Sequence, residues 1–536
     1  MVAAVTFGPP VNYQISLAGN FGEPRPNHFH GGIDVRTGMS EGKPIFSVAE
    51  GYVSRITVGL DGFGNAVYVT HPCGITTVYC HLKKFIPQLA AIVHKWQYQH
   101  QTCYADVRLQ PTEYPVSRGQ FIAISGNTGA SKAPHLHLEF HDTKTWAFLD
   151  PLKYLKNFVT DTTSPIAHSF MAYPVSGEGV FCGSSRKQSY GFSSLNLIRE
   201  FTAWGKVGFA IWANDYMEGS FGILGIHKTT LTVDGKPVFE SIVDSIPVKY
   251  NRMVNSWGDY EHYCRTHVWY MKSYLDPGNV LPILHTDTVK RGFVIFDEER
   301  DYKLVYTISD IFGNSRRYSF IVRGKYQDIP QYRKQNLMNT LFYNKINVFQ
   351  RSGLSLTLRR GVLPDDVELL PRTKEGTLSN IWNFYAQSYP LFDWAYISLQ
   401  LNSKVKDPSK LYILCQYGSD RYMGGIYDNG WVTGRMRELG ASYSIAYDDE
   451  PPLLTAFGTF PDKLRIIAYD KKSGLRSIKG FVDGHFVLFE RQEKTNMYIC
   501  RLDRSPVKKC GMMHDLKIVA IDNRNNKKVF STQFKY

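Results

Sequence analysis

The chain is short of several features that would narrow its class at once. Its eight cysteines are scattered and form no C-x-x-C pair, which excludes a zinc ribbon and a disulfide-dense scaffold. Cys500 and Cys510 are spaced to bridge a hairpin, although burial as free thiols is the expectation. No apolar run approaches the roughly 18 residues a membrane helix requires. The net charge of +14 over 536 residues gathers into no basic block or arm, which argues against nucleic acid as a partner. A diffuse positive surface suits a partner with distributed negative charge, such as a bacterial envelope polymer. The start, MVAAVTFGPPVNYQISL, has no basic region followed by an apolar core, so no secretory leader is visible in it.

What is present is strand. Hydrophobic residues make up 43% and aromatics 14% of the chain, enough for several cores, and the length implies three or four domains. Residues 13–158 alternate in short β-runs broken by glycine, such as NAVYVTH, ITTVYCHL and HLHLEF. One segment departs: in PQLAAIVHKWQYQ, Leu89, Ile92, Val93 and Trp96 fall at helical spacing behind Pro87. His94 and His100 there read as ordinary helix residues.

Beyond residue 159 a diverged repeat emerges. FAIWANDYMEG to LTVDGKPVFE (208–240) matches IIAYDKKSG to FVDGHFVLFE (466–490), each with a strand ending in Asp and then V-D-G. Each is closed by a similar run, at 302–322 and 515–534. The expected architecture is mainly β: an antiparallel-sheet domain with a helical insertion (1–158), an immunoglobulin-like β-sandwich (159–330), a β-rich unit of unknown role (331–450), and a second immunoglobulin-like sandwich (451–536). An insertion at 241–299 is rich in Tyr and Trp and is expected to pack beside the first domain, since such side chains favour burial. Its His262, Cys264 and His267 have no fourth partner at a recognisable spacing, so aromatic packing is the expected role.

The chemistry concentrates in the first domain. HFHGGIDVR contains His30-x-x-x-Asp34, a pair that recurs by chance and decides nothing alone. It is followed by Tyr79-Cys-His81-Leu and then by GNTGASKAPHLHLEF, with His135 and His137. On a strand, His135, His137 and Glu139 share one face while Leu136, Leu138 and Phe140 enter the core. Imidazole and carboxylate ligands together suit Zn²⁺, and three protein ligands with one open position are the catalytic arrangement.

These three motifs, in this order and with a glycine-rich turn before the last, resemble the lysostaphin-like, LytM-type zinc metallopeptidases that cut the peptide part of peptidoglycan. The resemblance covers roughly residues 13–158. It implies one Zn²⁺ held by His30, Asp34 and His137, with His81 and His135 as catalytic histidines, peptidoglycan as partner and a cell-envelope location. GNFGEPRPNHFHGGID and the β-domains behind it resemble large envelope members from Bacteroidota-type bacteria. Ala133 stands in KAPHLH where the family more often has glycine. The long segment between His81 and Gly126 is absent from the smallest members and leaves substrate preference open. Degenerate members regulate other wall hydrolases without catalysis, and a wall-binding or adhesion role is a further alternative; retention of all the ligands favours the enzyme. Arg25 is open between binding a substrate carboxylate and a structural role. Glu139 is open between orienting a zinc ligand and a strand-edge salt bridge. His28 and His71 match no catalytic position and are expected at the surface or in turns.

Overall fold

The strand Ile75–Cys80 is buried at every residue, and it is the central strand of the sheet that carries the candidate site. In the computed structural model, which describes residues 5–59, 61–219, 222–331, 335–460 and 462–536, that sheet runs Leu17–Gly19, Gly32–Arg36, His135–Asp142, Ile75–Cys80, Ala66–Thr70, Gly51–Val58, Ala105–Arg108. All of these neighbours pair antiparallel. Side chains of 457–460 and the first four residues of the stretch searched for a leader lie outside the description.

Register is fixed by burial. Ile33, Val35, Leu136, Leu138 and Phe140 are fully buried on one face, each stabilising the fold by about 1.5–3 kcal/mol. A slip of one residue would turn them all to the other face. This register sets His137 opposite Asp34 on one side and Cys80 on the other. The diglycine before Asp34 is what allows the approach: a Cβ on Gly32 would stand 2.1 Å from the Leu138 carbonyl oxygen.

The expected helix forms at Pro87–His100, with Pro87 in its first turn and Leu89, Val93 and Gln97 buried. Its far end meets the C-terminal unit, where the Tyr98 and Phe486 rings lie 5.4 Å apart. The helix is thus a mount for the C-terminal unit.

The remainder is mainly antiparallel β in layered sheets, as the sequence leads one to expect. The unit after the first domain is one continuous ten-stranded sheet, closed by parallel pairing of Phe201–Asn214 with Ser315–Gly324. Its core is a phenylalanine stack in which Phe170 and Phe320 lie 4.1 Å apart. Two five-stranded sheets enclose a third core around Leu356, Ile397 and Tyr443, and two four-stranded sheets enclose a fourth around Ile466 and Ile518.

Both copies of the diverged repeat fold alike. Lys228–Val233 pairs with Lys236–Ile242 and with Asp301–Ser309, which pairs with Ser315–Gly324. Leu475–Val482 pairs with His485–Val487 and with Met513–Asp522, which pairs with Lys527–Lys535. The V-D-G turns explain their own composition: Asp234, Gly235, Asp483 and Gly484 all have positive φ, as a tight hairpin turn demands.

The aromatic insertion packs against the first domain. Asn255 Oδ1 accepts from the Asn27 backbone N–H at 3.0 Å, Asn251 Oδ1 from that of Phe29 at 2.7 Å, and the Phe29 and Trp257 rings lie 5.9 Å apart. Cys264 is exposed and, among the described residues, belongs to no metal-ligating cluster with His262 and His267. All eight cysteines are free thiols; Cys500 is buried and Cys510 exposed, so the hairpin bridge does not form.

Candidate active site

His30, Asp34 and His137 come together in a buried group. His30 Nε2 lies 3.0 Å from Asp34 Oδ1 and 3.0 Å from His137 Nδ1, and His137 Nδ1 lies 2.8 Å from Asp34 Oδ1. The opposite nitrogens fix which atoms face inward. His30 Nδ1–H donates to the Asn20 carbonyl at 2.6 Å, leaving Nε2 as a lone pair. His137 Nε2–H donates to Glu139 Oε1 at 2.9 Å, leaving Nδ1 as a lone pair. Two imidazole lone pairs and a carboxylate oxygen this close cannot satisfy one another without a cation between them. With bonds of about 2.0–2.1 Å, tetrahedral zinc ligands stand about 3.3 Å apart, so the donor set fits such an ion.

The surrounding charges agree. Burial opposes the charged form of His137, but the Asp34 and Glu139 carboxylates outweigh it and hold its pKa up at about 9. Burial likewise works against the Asp34 carboxylate, yet His30, His135 and His137 keep its pKa well below the usual range. Burial pushes His30 down to about 4 against the pull of Asp34. The group demands positive charge, and it places that demand between His137 and two carboxylates.

His81 and His135 flank this group. Their rings are 4.9 Å apart, and His81 lies 5.7 Å from His137. His81 Nδ1–H donates to the Thr128 carbonyl at 2.8 Å and His135 Nδ1–H to the Ala133 carbonyl at 2.8 Å. Both therefore turn Nε2 towards the cluster; His135 Nε2 is 3.2 Å from Asp34 Oδ1. His81 sits at φ 59, a left-handed conformation that non-glycine residues adopt at a cost. Burial, with His137 and His135 nearby, brings its pKa down to about 3. Tyr79 of the same motif is not at the site: it is fully buried and its hydroxyl accepts from the Val48 N–H at 2.8 Å.

The two readings left open for Arg25 and Glu139 now have structural answers. Arg25 Nη2 donates to Asp34 Oδ2 at 2.9 Å, which directs Asp34 Oδ1 to the histidines. Glu139, 3% exposed, spans His137 and His141, whose Nε2 is 2.7 Å from Glu139 Oε2. A Cβ on Gly31 would stand 2.6 Å from Glu139 Oε1, so the first glycine of the pair makes room for this carboxylate. His28 is exposed, as expected. His71 opens the turn between Ala66–Thr70 and Ile75–Cys80, its carbonyl accepting from the Gly74 N–H at 3.1 Å, but it is buried there: it is 2% exposed, held by the Glu50 carbonyl at 2.7 Å and Thr77 Oγ1 at 2.9 Å. It serves the core because its ring can satisfy both nitrogens there. His141 was not singled out from the sequence, although H-L-H-L-E-F-H places it on the face of His137 and Glu139.

A cleft opens over the histidines, walled by Phe63 and Arg25 on one side and by Trp257 and Trp269 of the aromatic insertion on the other. The second unit thus completes the walls of a site whose reactive groups all belong to the first.

Comparison with known proteins agrees with the local chemistry. Residues 28–98 match the model of peptidase family M23, and residues 338–448 match a Zu5-like domain. A Haemophilus influenzae protein named as an uncharacterized metalloprotease is 33% identical over 112 residues, covering 21% of this chain and 18% of its own length. The DD-carboxypeptidase/endopeptidase Mpg of Neisseria meningitidis serogroup B is 30% identical over 110 residues, covering 20% of this chain and 19% of its own. The chain therefore spans about a fifth of the length of these curated relatives. The catalytic domain of lysostaphin from Staphylococcus simulans aligns with 27% of this chain and 93% of its own at 24% identity, with a TM-score of 0.20. The family match takes in His30, Asp34 and His81, and the sheet brings His135 and His137 to them. The N-terminal domain of this chain is a member of peptidase family M23.

Proposed function

We propose that the chain is a zinc-dependent endopeptidase that hydrolyses peptide bonds in the stem peptides or cross-bridges of peptidoglycan, working in the cell envelope. The observation that carries this reading is the convergence of His30 Nε2, Asp34 Oδ1 and His137 Nδ1 within about 3 Å, with every other nitrogen of those imidazoles occupied. One zinc ion held there would supply Lewis acidity and lower the pKa of water to about 7.

The chain's own residues do the rest. His81 is neutral at pH 7 and presents its Nε2 lone pair, so it accepts a proton from the attacking water and returns it to the leaving amine. Its Nδ1–H remains on the Thr128 carbonyl throughout, which stabilises the imidazolium that forms. His135, anchored the same way on Ala133, is the second group at the reacting carbonyl; with a proton taken from solvent at Nε2 it donates to the developing oxyanion and keeps its Nδ1–H on Ala133. Arg25 and Glu139 hold the ligands in place and do not react. The aromatic walls of the cleft orient an extended peptide and shed water from it. Family membership of the domain, the endopeptidase named among the relatives and the diffuse positive charge support peptidoglycan as the substrate class. Among the described residues no helix is long and apolar enough to cross a membrane.

Digestion of purified muropeptides, with product masses read by mass spectrometry, tests the reading and identifies the bond. Cleavage within the peptide supports it. Release of sugar fragments alone, or an unchanged digest, overturns it.

A further inference from the structure

Away from the histidines, two trios of carboxylates recur at equivalent places in the two repeated units. Asp161, Asp215 and Asp310 form one, and Asp448, Asp470 and Asp522 the other; within each, one ligand atom per residue lies within 4.8 Å of the others. Asp215 and Asp470 follow the strand that opens each repeat, and Asp310 and Asp522 stand at the end of the strand before the last hairpin. Asp161 and Asp448 come from the connection leading in from the preceding unit.

The equivalence extends to the supporting bonds. Asn314 Nδ2 donates to Asp310 Oδ2 at 2.7 Å and to the Asp161 carbonyl at 3.1 Å. Asn526 Nδ2 donates to Asp522 Oδ2 at 2.7 Å and to the Asp448 carbonyl at 2.8 Å. An interdomain joint built twice from matching residues is a designed feature of both repeats.

The first trio is not satisfied by the protein. Asp215 is 3% exposed and Asp161 7% exposed, yet Asp215 Oδ1 and Asp161 Oδ2 have no hydrogen-bond partner, although both residues line one narrow internal cavity. Beside the second trio, Ser473, 2% exposed, leaves its Oγ unpartnered while its N–H donates to Asp448 Oδ2 at 3.2 Å. Among the described residues lining the first cavity there is no Lys or Arg. Buried carboxylates without cationic or hydrogen-bonding partners are costly. Burial and the neighbouring carboxylates of Asp310 and Asp161 raise the pKa of Asp215 to about 8.

We infer that each trio is a calcium site, so that the chain binds two Ca²⁺ that fasten each repeated unit to the unit before it. The donors are all oxygen, the choice of a hard cation rather than zinc. Carboxylate oxygens no more than 4.8 Å apart are close enough to share one such cation. Water completes the coordination that three carboxylates leave open.

Full-length zinc-saturated protein, desalted into calcium-free buffer, is dialysed against ⁴⁵Ca²⁺, and its melting temperature is followed in parallel. The wild type is expected to bind two Ca²⁺ and to melt at a higher temperature with them. Asp215→Asn and Asp470→Asn should each bind one, and the double variant none. Without calcium, Asp215→Asn should melt close to the wild type, since the amide stands in for a carboxyl that is largely protonated there, which separates loss of a site from misfolding. A wild type that binds no calcium, binds one, or binds two that survive in the double variant overturns the inference. Unchanged melting with calcium overturns the joint-fastening role. None of these outcomes touches the histidine site.

Discussion

Glu139→Gln is the perturbation that isolates how the fold prepares His137 for a metal. The carboxylate accepts from His137 Nε2–H at 2.9 Å and stands 2.7 Å from His141 Nε2. Glutamine keeps the shape and an acceptor oxygen but removes the charge. His137 is lifted from 6.5 to about 9, a net preference for positive charge of roughly 3 kcal/mol at 1.36 kcal/mol per unit. Two carboxylates, Asp34 and Glu139, supply it against the opposing effect of burial. If Glu139 carries about half, its charge is worth roughly 1–2 kcal/mol, or about 10–30-fold in affinity for a cation at Nδ1, within the range usual for such supporting partners. Competition against a chromophoric chelator measures zinc affinity directly. The expected result is zinc binding weakened by about 10–30-fold, with turnover near wild type once zinc is saturating. Unchanged affinity with turnover abolished would refute the reasoning, because it would make Glu139 a reacting group.

Three further outcomes follow from the same geometry. His137→Ala should lose both zinc and activity, whereas His135→Ala should keep zinc by elemental analysis while turnover falls by a factor on the order of 10²–10⁴, as expected of a general acid–base group. In metal-free protein, His30 and His81 have folded pKa values of about 4 and about 3, below the unfolded 6.5; at these two positions the unfolded chain binds more protons, so the stability they contribute falls as pH drops from 6.5 towards 4, and over that range His81→Gln should change its melting temperature less unfavourably than the wild type, identical profiles contradicting the neutral assignment. Phe486→Ala should loosen the C-terminal unit from the helix Pro87–His100, read as faster release of that unit by limited proteolysis with zinc content unchanged.

The site was legible in the sequence to the extent that its chemistry is local. Alternation along H-L-H-L-E-F put His135, His137 and Glu139 on one face, and Pro87 with its helical spacing marked the one long helix. The diglycine announced a close approach but not its object, because only the register shows that Gly32 meets Leu138 and Gly31 meets Glu139. Arg25 was ambiguous for the same reason: its partner Asp34 is near in sequence, but an exposed arginine in a loop reads the same whether it faces substrate or protein. The turn at His71 was legible but its burial was not, because burial of a histidine depends on two hydrogen-bond partners supplied from elsewhere, the Glu50 carbonyl and the Thr77 hydroxyl. The carboxylate trios were out of reach, since residues 161, 215 and 310 carry no spacing signal, although the strands ending in Asp belonged to the repeat that was read.

The central claim is that His30, Asp34 and His137 hold a zinc ion on which peptide cleavage depends. Zinc content by elemental analysis, measured beside muropeptide cleavage through a cycle of chelation and zinc restoration, tests it most directly. The account predicts one zinc per chain, loss of cleavage in step with loss of the metal, and recovery of both together. Cleavage that persists in metal-free protein, or full zinc occupancy without any cleavage of muropeptides, would contradict it.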